Sequence, residues 1–285
     1  MRLLTFKVPN NFNLFLFGDK HDGNAAYSKK AYSKLIEMIN SEYEGVSASH
    51  NYGIDMGDPC DFITRKDKRH DPEIHPIPPL SQMKKFYKDY KPIKHAVLCM
   101  LHSNHIQTLD EIGNATKHMC EELGIIYGTY SARITFLDNN DELMFKAFVT
   151  HGKKSITSSA DDAERRKSNM QLVLKRHLRE KASDCALMAK GHTHKLLVQK
   201  PTPELSLKDD SKKIISFYPD PTAYHKMFFI PKEMRWYVNT GSFLRLYALN
   251  KNTYSEQAEY DPIDLGFAIV EIRNKKIKDV KLIKV

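Results

Sequence analysis

This sequence predicts an α/β fold of two facing β-sheets with helices on the outside, on three observations. In the first half, strand-like apolar runs alternate with amphipathic helical segments, the rhythm of parallel strands joined by crossover helices. From residue 132 onward, strands joined by short turns dominate instead. The length of 285 residues gives ample chain for one large core and no clear second one, so residues 1–285 are read as a single domain.

Taken in order, residues 14–17 (LFLF) read as a strand, 25–42 as an amphipathic helix and 52–56 as a second strand. A helix over 81–90, a strand over 96–101 and a helix over 108–123, ended by Gly124, complete the alternating half. Such a sheet binds ligands at the carboxyl ends of its strands. Strands at 132–137 and 143–150 flank Asp138-Asn139-Asn140-Asp141, a strong hairpin turn. A long helix over 160–181 follows, then strands at 185–190, 195–199, 235–238, 266–272 and 277–283. Segments 64–79 and 200–233, basic and rich in proline or aromatic residues, read as insertions over the ligand edge, where loops commonly set substrate choice.

Composition narrows the class. Charged residues at 28% and hydrophobic residues at 41% fit a globular chain, and no apolar run reaches the length of a membrane span. Lys7, Pro9 and Asn10 interrupt any signal-peptide pattern at the N-terminus. The four cysteines have no paired spacing, and Cys99 and Cys185 fall in strand-like runs as buried thiols. A reducing cytoplasm is the expected compartment.

Five short clusters carry the chemistry: Gly18-Asp19-Lys20-His21, Gly57-Asp58-Pro59-Cys60-Asp61, Ser103-Asn104-His105, His151-Gly152 and Gly191-His192-Thr193-His194. A single His-x-His means little among thirteen histidines, but five clusters in series at the ends of apolar runs are a strong signal. Aspartate, asparagine and histidine are the ligands that a pair of divalent transition ions requires. Asp55 and Asp61 read as supporting or solvated groups, and His102 as a neighbouring contact. His50, His70, His75, His95, His118, His177 and His225 fall outside the pattern and default to surface or core roles.

The series resembles the calcineurin-like metallophosphoesterases, whose pattern runs Asp-x-His, Gly-Asp, Gly-Asn-His-Asp/Glu, His, Gly-His-x-His. The match covers residues 14–194 and continues more loosely through Asn239-Thr240-Gly241-Ser242. The resemblance implies a four-layer αββα sandwich of two mixed sheets flanked by helices. It implies that Asp19, His21, Asp58 and His194 hold one divalent ion, and that Asp58, Asn104, His151 and His192 hold the other. Manganese is the expected metal, with zinc, iron, nickel and magnesium as alternatives. His105 is then the catalytic residue beside the leaving oxygen. Two departures stand out: Ser103 replaces the usual glycine, and Ile106 replaces the acidic residue that usually follows the histidine.

Within that family, Gly-His-x-His disfavours the protein Ser/Thr phosphatases, and His105 disfavours the lipid A precursor hydrolases, which carry arginine there. SbcD-type nucleases keep the histidine but add a cap, so a compact nuclease or phosphodiesterase fits better. The formal charge of +9 favours a polyanionic partner. Arg165, Arg166 and Lys167, on the helix after His151, are candidate substrate contacts; taken alone, a solvated helix face accounts for them better, and it is the sum of helix, loops and total charge that favours a polyanion. The expected function is dimetal hydrolysis of phosphodiester bonds in nucleic acid or nucleotides. A phosphomonoesterase acting on a small or protein-linked phosphate, and a nucleic-acid-binding protein with a weakly active metal site, are the alternatives.

Overall fold

A computed structural model describes residues 1–105 and 113–285; Ile106 and the start of the helix expected over 108–123 lie outside them. One sheet contains β2 (Phe12–Phe17), β3 (Asn51–Asp55), β4 (Val97–Met100), β5 (Ile126–Tyr127), β13 (Gly266–Arg273) and β14 (Lys276–Lys284), in the order β14-β13-β2-β3-β4-β5. From β2 to β5 the pairing is parallel, and β13 runs antiparallel to both its neighbours. The other sheet contains β1 (Arg2–Lys7), β6 (Ser131–Leu137), β7 (Leu143–Thr150), β8 (Leu187–Lys190), β9 (Leu196–Gln199) and β12 (Trp236–Thr240), in the order β1-β6-β7-β8-β12-β9. Both sheets are mixed, and helices cover their outer faces.

The layering follows from side-chain alternation along strands buried on both faces. Phe12, Leu14 and Leu16 of β2 pack between the sheets against Ile134, Phe136 and Phe145. Phe15 and Phe17 point the other way, onto α1 (Lys29–Ile39), α2 (Pro79–Tyr90) and α3 (Ala115–Leu123) through Tyr32, Leu35, Phe86, Tyr90 and Met119. On the opposite side, Leu174 and Leu178 of α4 (Ala163–Leu178) cover Phe148, Met188 and Tyr237. The continuous apolar run of β2 is therefore what a central strand requires.

Local chemistry sets the helix ends. Ser28 caps α1 by accepting from Ala31 N, so the helix begins there and not at residue 25. Gly124 ends α3 at φ 69°, a left-handed conformation in which glycine meets no side-chain penalty. Asp162 caps α4, with Glu164 in its first turn and Lys175, Arg176 and His177 in its last, matching the helix dipole.

Some elements were not expected from sequence. β1 pairs in parallel with β6 at a sheet edge, where only Leu4 is buried. Segment 200–233 contains a separate hairpin of β10 (Ser206–Asp209) and β11 (Ile214–Phe217). A short helix, α5 (Tyr254–Gln257), interrupts the stretch before β13. Among the described residues, no helix is long and apolar enough to cross a membrane.

Candidate metal centre

Each ligand cluster lies just past the carboxyl end of a strand. Asp19 and His21 follow β2, Asp58 follows β3, Asn104 and His105 follow β4, His151 follows β7, and His192 and His194 follow β8. Backbone pairing continues beyond the strands: Asp19 N donates to Gly57 O (2.8 Å), His21 N to Asp58 O (3.0 Å) and Asp22 N to Pro59 O (3.2 Å). The first two loops are thus held side by side. Ser242 Oγ donates to Asp19 O (2.8 Å), which brings the 239–242 stretch to the same place.

The backbone is unusual here. Asp19, His21, Asp58, His192 and His194 all have positive φ, between 50° and 71°. Non-glycine residues in that region cost on the order of 1–3 kcal/mol each and persist only where the surroundings hold them. The neighbouring glycines leave little room for a side chain: a Cβ on Gly57, at φ 101°, would lie 2.9 Å from Ser103 Cβ and 3.0 Å from His151 Nδ1. One on Gly191 would lie 3.0 Å from Asp19 Oδ2.

The side chains converge. Metal-capable groups form among Asp19, His21 and His194, among His21, Asp58 and His105, and among Asp58, His151 and His192, with ligand atoms within 4.8 Å in each group. Asp58 belongs to two of these groups, as does His21. Asn104 joins the third through its Oδ1, 2.9 Å from His151 Nε2, while Asp58 Oδ2 lies 3.2 Å from the same nitrogen. All seven residues expected to hold metal are therefore gathered, and His105 sits among them, its ring centroid 4.6 Å from that of His21.

Tautomers favour cation binding. His151 Nδ1 donates to Met56 O (2.8 Å) and His21 Nδ1 donates to Asp61 Oδ1 (3.2 Å), so each ring, once its Nε2 is deprotonated, turns a lone pair inward. His21 Nε2 and His194 Nε2 face each other at 3.2 Å. Asp19 Oδ1 is buried without a hydrogen-bond partner, 3.5 Å from His194 Nε2. Converging lone pairs around a buried, orphaned carboxylate oxygen suit divalent ions. The nitrogen and oxygen donors, with no thiolate, suit borderline transition ions.

Electrostatics agree with that fit. Burial would raise the Asp58 carboxyl, but nearby His151 and His105 outweigh it and hold the pKa well below the usual carboxylate range. For Asp19, burial is likewise outweighed, chiefly by His194, and the pKa is lowered. Burial opposes charge on His151, yet Asp58 raises its pKa to about 9, so without metal Nε2 carries a proton that a bound cation would displace. Burial pushes His192 down to about 4. The negative sites thus stay ionised at neutral pH.

Asp61 does more than a solvated group would. Buried, it receives His21 Nδ1 on Oδ1, lies 3.3 Å from His75 Nε2 through Oδ2, and accepts His105 Nδ1 on its backbone oxygen (2.8 Å). His105 is therefore oriented by the Asp58 loop. His75, assigned a default role from sequence, lies against this carboxylate, and the Gly-Asp-x-x-Asp spacing alone could not show that. Asp55 accepts from Tyr90 OH (3.0 Å) and Gly57 N (2.9 Å), and burial raises its carboxyl to about 7. His102 meets Thr116 Oγ1 (3.2 Å) and packs edge-on to Tyr130, as a neighbouring contact should.

A cavity of about 700 Å³ opens over the cluster. One wall comes from residues 63–75, including Arg69, Ile74 and His75. The second expected insertion, 200–233, contributes no lining residue; residues 244–263 form the other wall instead. Arg165, Arg166 and Lys167 do not line the cavity either, and Arg165 and Lys167 are exposed on α4. Arg166 reaches its rim by an ion pair with Asp261 (3.8 Å). No protein-family model matches the sequence, and no curated protein matches it.

Proposed function

We propose that this protein is a phosphoesterase that binds two divalent metal ions and hydrolyses phosphodiester bonds. The observation that carries this reading is the partly buried ring of facing donor atoms from Asp19, His21, Asp58, Asn104, His151, His192 and His194. Bound there, two ions would polarise the phosphoryl oxygens and lower the pKa of a water toward neutrality. Asp58, shared between groups, supplies the carboxylate that can face both ions. Asn104 adds an oxygen without a charge, which leaves the site attractive to an anion.

His105 holds its Nδ1 proton on Asp61 O, so Nε2 is the ring atom from which a proton would pass to the leaving oxygen. His105 also lines the cavity, where that oxygen would lie. Orientation by Asp61 takes the place of the acidic neighbour that the family pattern has where this chain has Ile106. The cavity favours a diester over a bare monoester, because about 700 Å³ falls within the roughly 300–1,000 Å³ of pockets that enclose much larger ligands.

The test is turnover of bis-p-nitrophenyl phosphate against p-nitrophenyl phosphate by chelator-treated protein with and without Mn²⁺. Metal-dependent cleavage that prefers the diester is expected, and Asp58→Ala should lose it together with its second metal. Preference for the monoester would replace this reading by a phosphatase. Cleavage of neither substrate would overturn it.

A further inference from the structure

The wall built from residues 244–263 has features that metal chemistry does not need. Tyr254 and Tyr260 line the cavity while remaining 59% and 48% exposed. Their rings meet edge to face, 6.0 Å apart at 83°. The wall is also braced. Thr253 Oγ1 donates to Leu246 O (2.6 Å) and accepts from Glu256 N, and Tyr247 OH donates to Tyr260 O (2.6 Å).

Cations on the cavity lining differ in their commitments. Arg69 is clamped by Asp67, with Nε to Oδ1 at 3.0 Å and Nη2 to Oδ2 at 2.7 Å. Arg245 has no carboxylate partner among the described residues; its side chain only approaches Ser28 Oγ at 3.5 Å, while its backbone N is fixed on Ala26 O. An exposed aromatic pair and a guanidinium without a carboxylate partner among the described residues, both lining this cavity, match a ligand with a planar π-face and an adjoining anion. Bases stack on such rings whatever their identity, and arginine meets phosphate oxygens readily.

We propose that this wall is the subsite for the nucleoside half of a phosphodiester, with Tyr254 and Tyr260 contacting the base and Arg245 the adjoining phosphate. The proposal rests on the phosphodiesterase reading and adds the class of ester. Specificity then resides in a segment that follows every metal ligand in the sequence.

The experiment compares thymidine 5′-(p-nitrophenyl phosphate) with methyl p-nitrophenyl phosphate, both of which release p-nitrophenolate, in wild type, Tyr254→Ala, Tyr254→Phe and Arg245→Ala. Calorimetric binding of thymidine 5′-monophosphate to the same proteins is the second readout. Without the aromatic ring to stack on the base, kcat/KM for the thymidine ester should fall about 5- to 150-fold in Tyr254→Ala. The methyl ester should be cleaved equally well by both proteins, and Tyr254→Phe should keep the preference. Arg245→Ala should weaken monophosphate binding. Equal thymidine and methyl rates in wild type, or an unchanged ratio with unchanged nucleotide binding in Tyr254→Ala and Arg245→Ala, would overturn the subsite. Cleavage of neither ester by wild type would strike the phosphodiesterase reading instead; nucleotide binding abolished in Tyr254→Ala would still support the subsite.

Discussion

Removing the Asp61 side chain should uncouple one half of the metal centre from the other. Its Oδ1 accepts from His21 Nδ1 at 3.2 Å, fixing the tautomer that turns Nε2 toward Asp19 and His194. His151, by contrast, is oriented by Met56 O. Loss of a carboxylate that orients a ligating histidine typically costs about 10- to 100-fold in metal affinity, or roughly 1.4–2.7 kcal/mol. Asp61→Ala should therefore weaken one of two Mn²⁺ sites by that factor in calorimetric titration of metal-free protein. The site around Asn104, His151 and His192 should shift far less. A separate cost arises because the half-buried His75 and Asn24 lose their carboxylate partner, at most about 1–3 kcal/mol of stability each. Urea unfolding of the metal-free variant measures that cost independently. Equal weakening of both sites with normal folding would refute the reasoning, as would unchanged affinity at both.

Three further outcomes are expected. His105→Ala should lower turnover about 10²- to 10⁴-fold while retaining two metals per chain by elemental analysis; loss of metal would make it the ligand that its place beside His21 and Asp58 also permits. Asp55 is buried with its carboxyl near 7, above the unfolded value of about 3.9, so the folded protein holds the extra proton between those limits. Stability of metal-free protein should then fall by up to roughly 4 kcal/mol as pH rises from about 4 through 7, at ~1.36 kcal/mol per pH unit, and Asp55→Asn should flatten that slope in urea titrations. Neutralising Arg165, Arg166 and Lys167 together should leave small-diester cleavage unchanged, since none lines the cavity, and should reduce the salt slope of nucleic-acid binding by roughly 0.7–0.9 for each phosphate no longer neutralised. An unaltered slope would mean that this face of α4 is merely solvated.

Strands buried on both faces were the easiest to read, because the LFLF run of β2 leaves no polar position to misplace. The ligand clusters were legible for the same reason: each ends such a run, so topology had to gather them at one edge. β1 was not legible, since an edge strand that buries only Leu4 carries almost no periodic signal. Residues 244–263 lacked apolar period altogether, so nothing in their order showed that they close over the cluster. The roles of Asp61 and His75 depend on which side chains face each other across loops 63–75 and 18–22. Spacing cannot encode that.

The strand orders have a consequence for how the chain can be divided. One sheet places β13, followed by β14 at the end of the chain, against β2, and the other inserts β12 between β8 and β9. A fragment ending at His194 would contain every ligand and still lack the central partner of β8 and the neighbour of β2. Contacts this distant in sequence carry a large loop-closure cost and make folding slow. Each sheet draws on strands that follow His194, so metal affinity is expected to await docking of the β13–β14 hairpin, and a ligand-complete fragment should bind metal far more weakly than the whole chain.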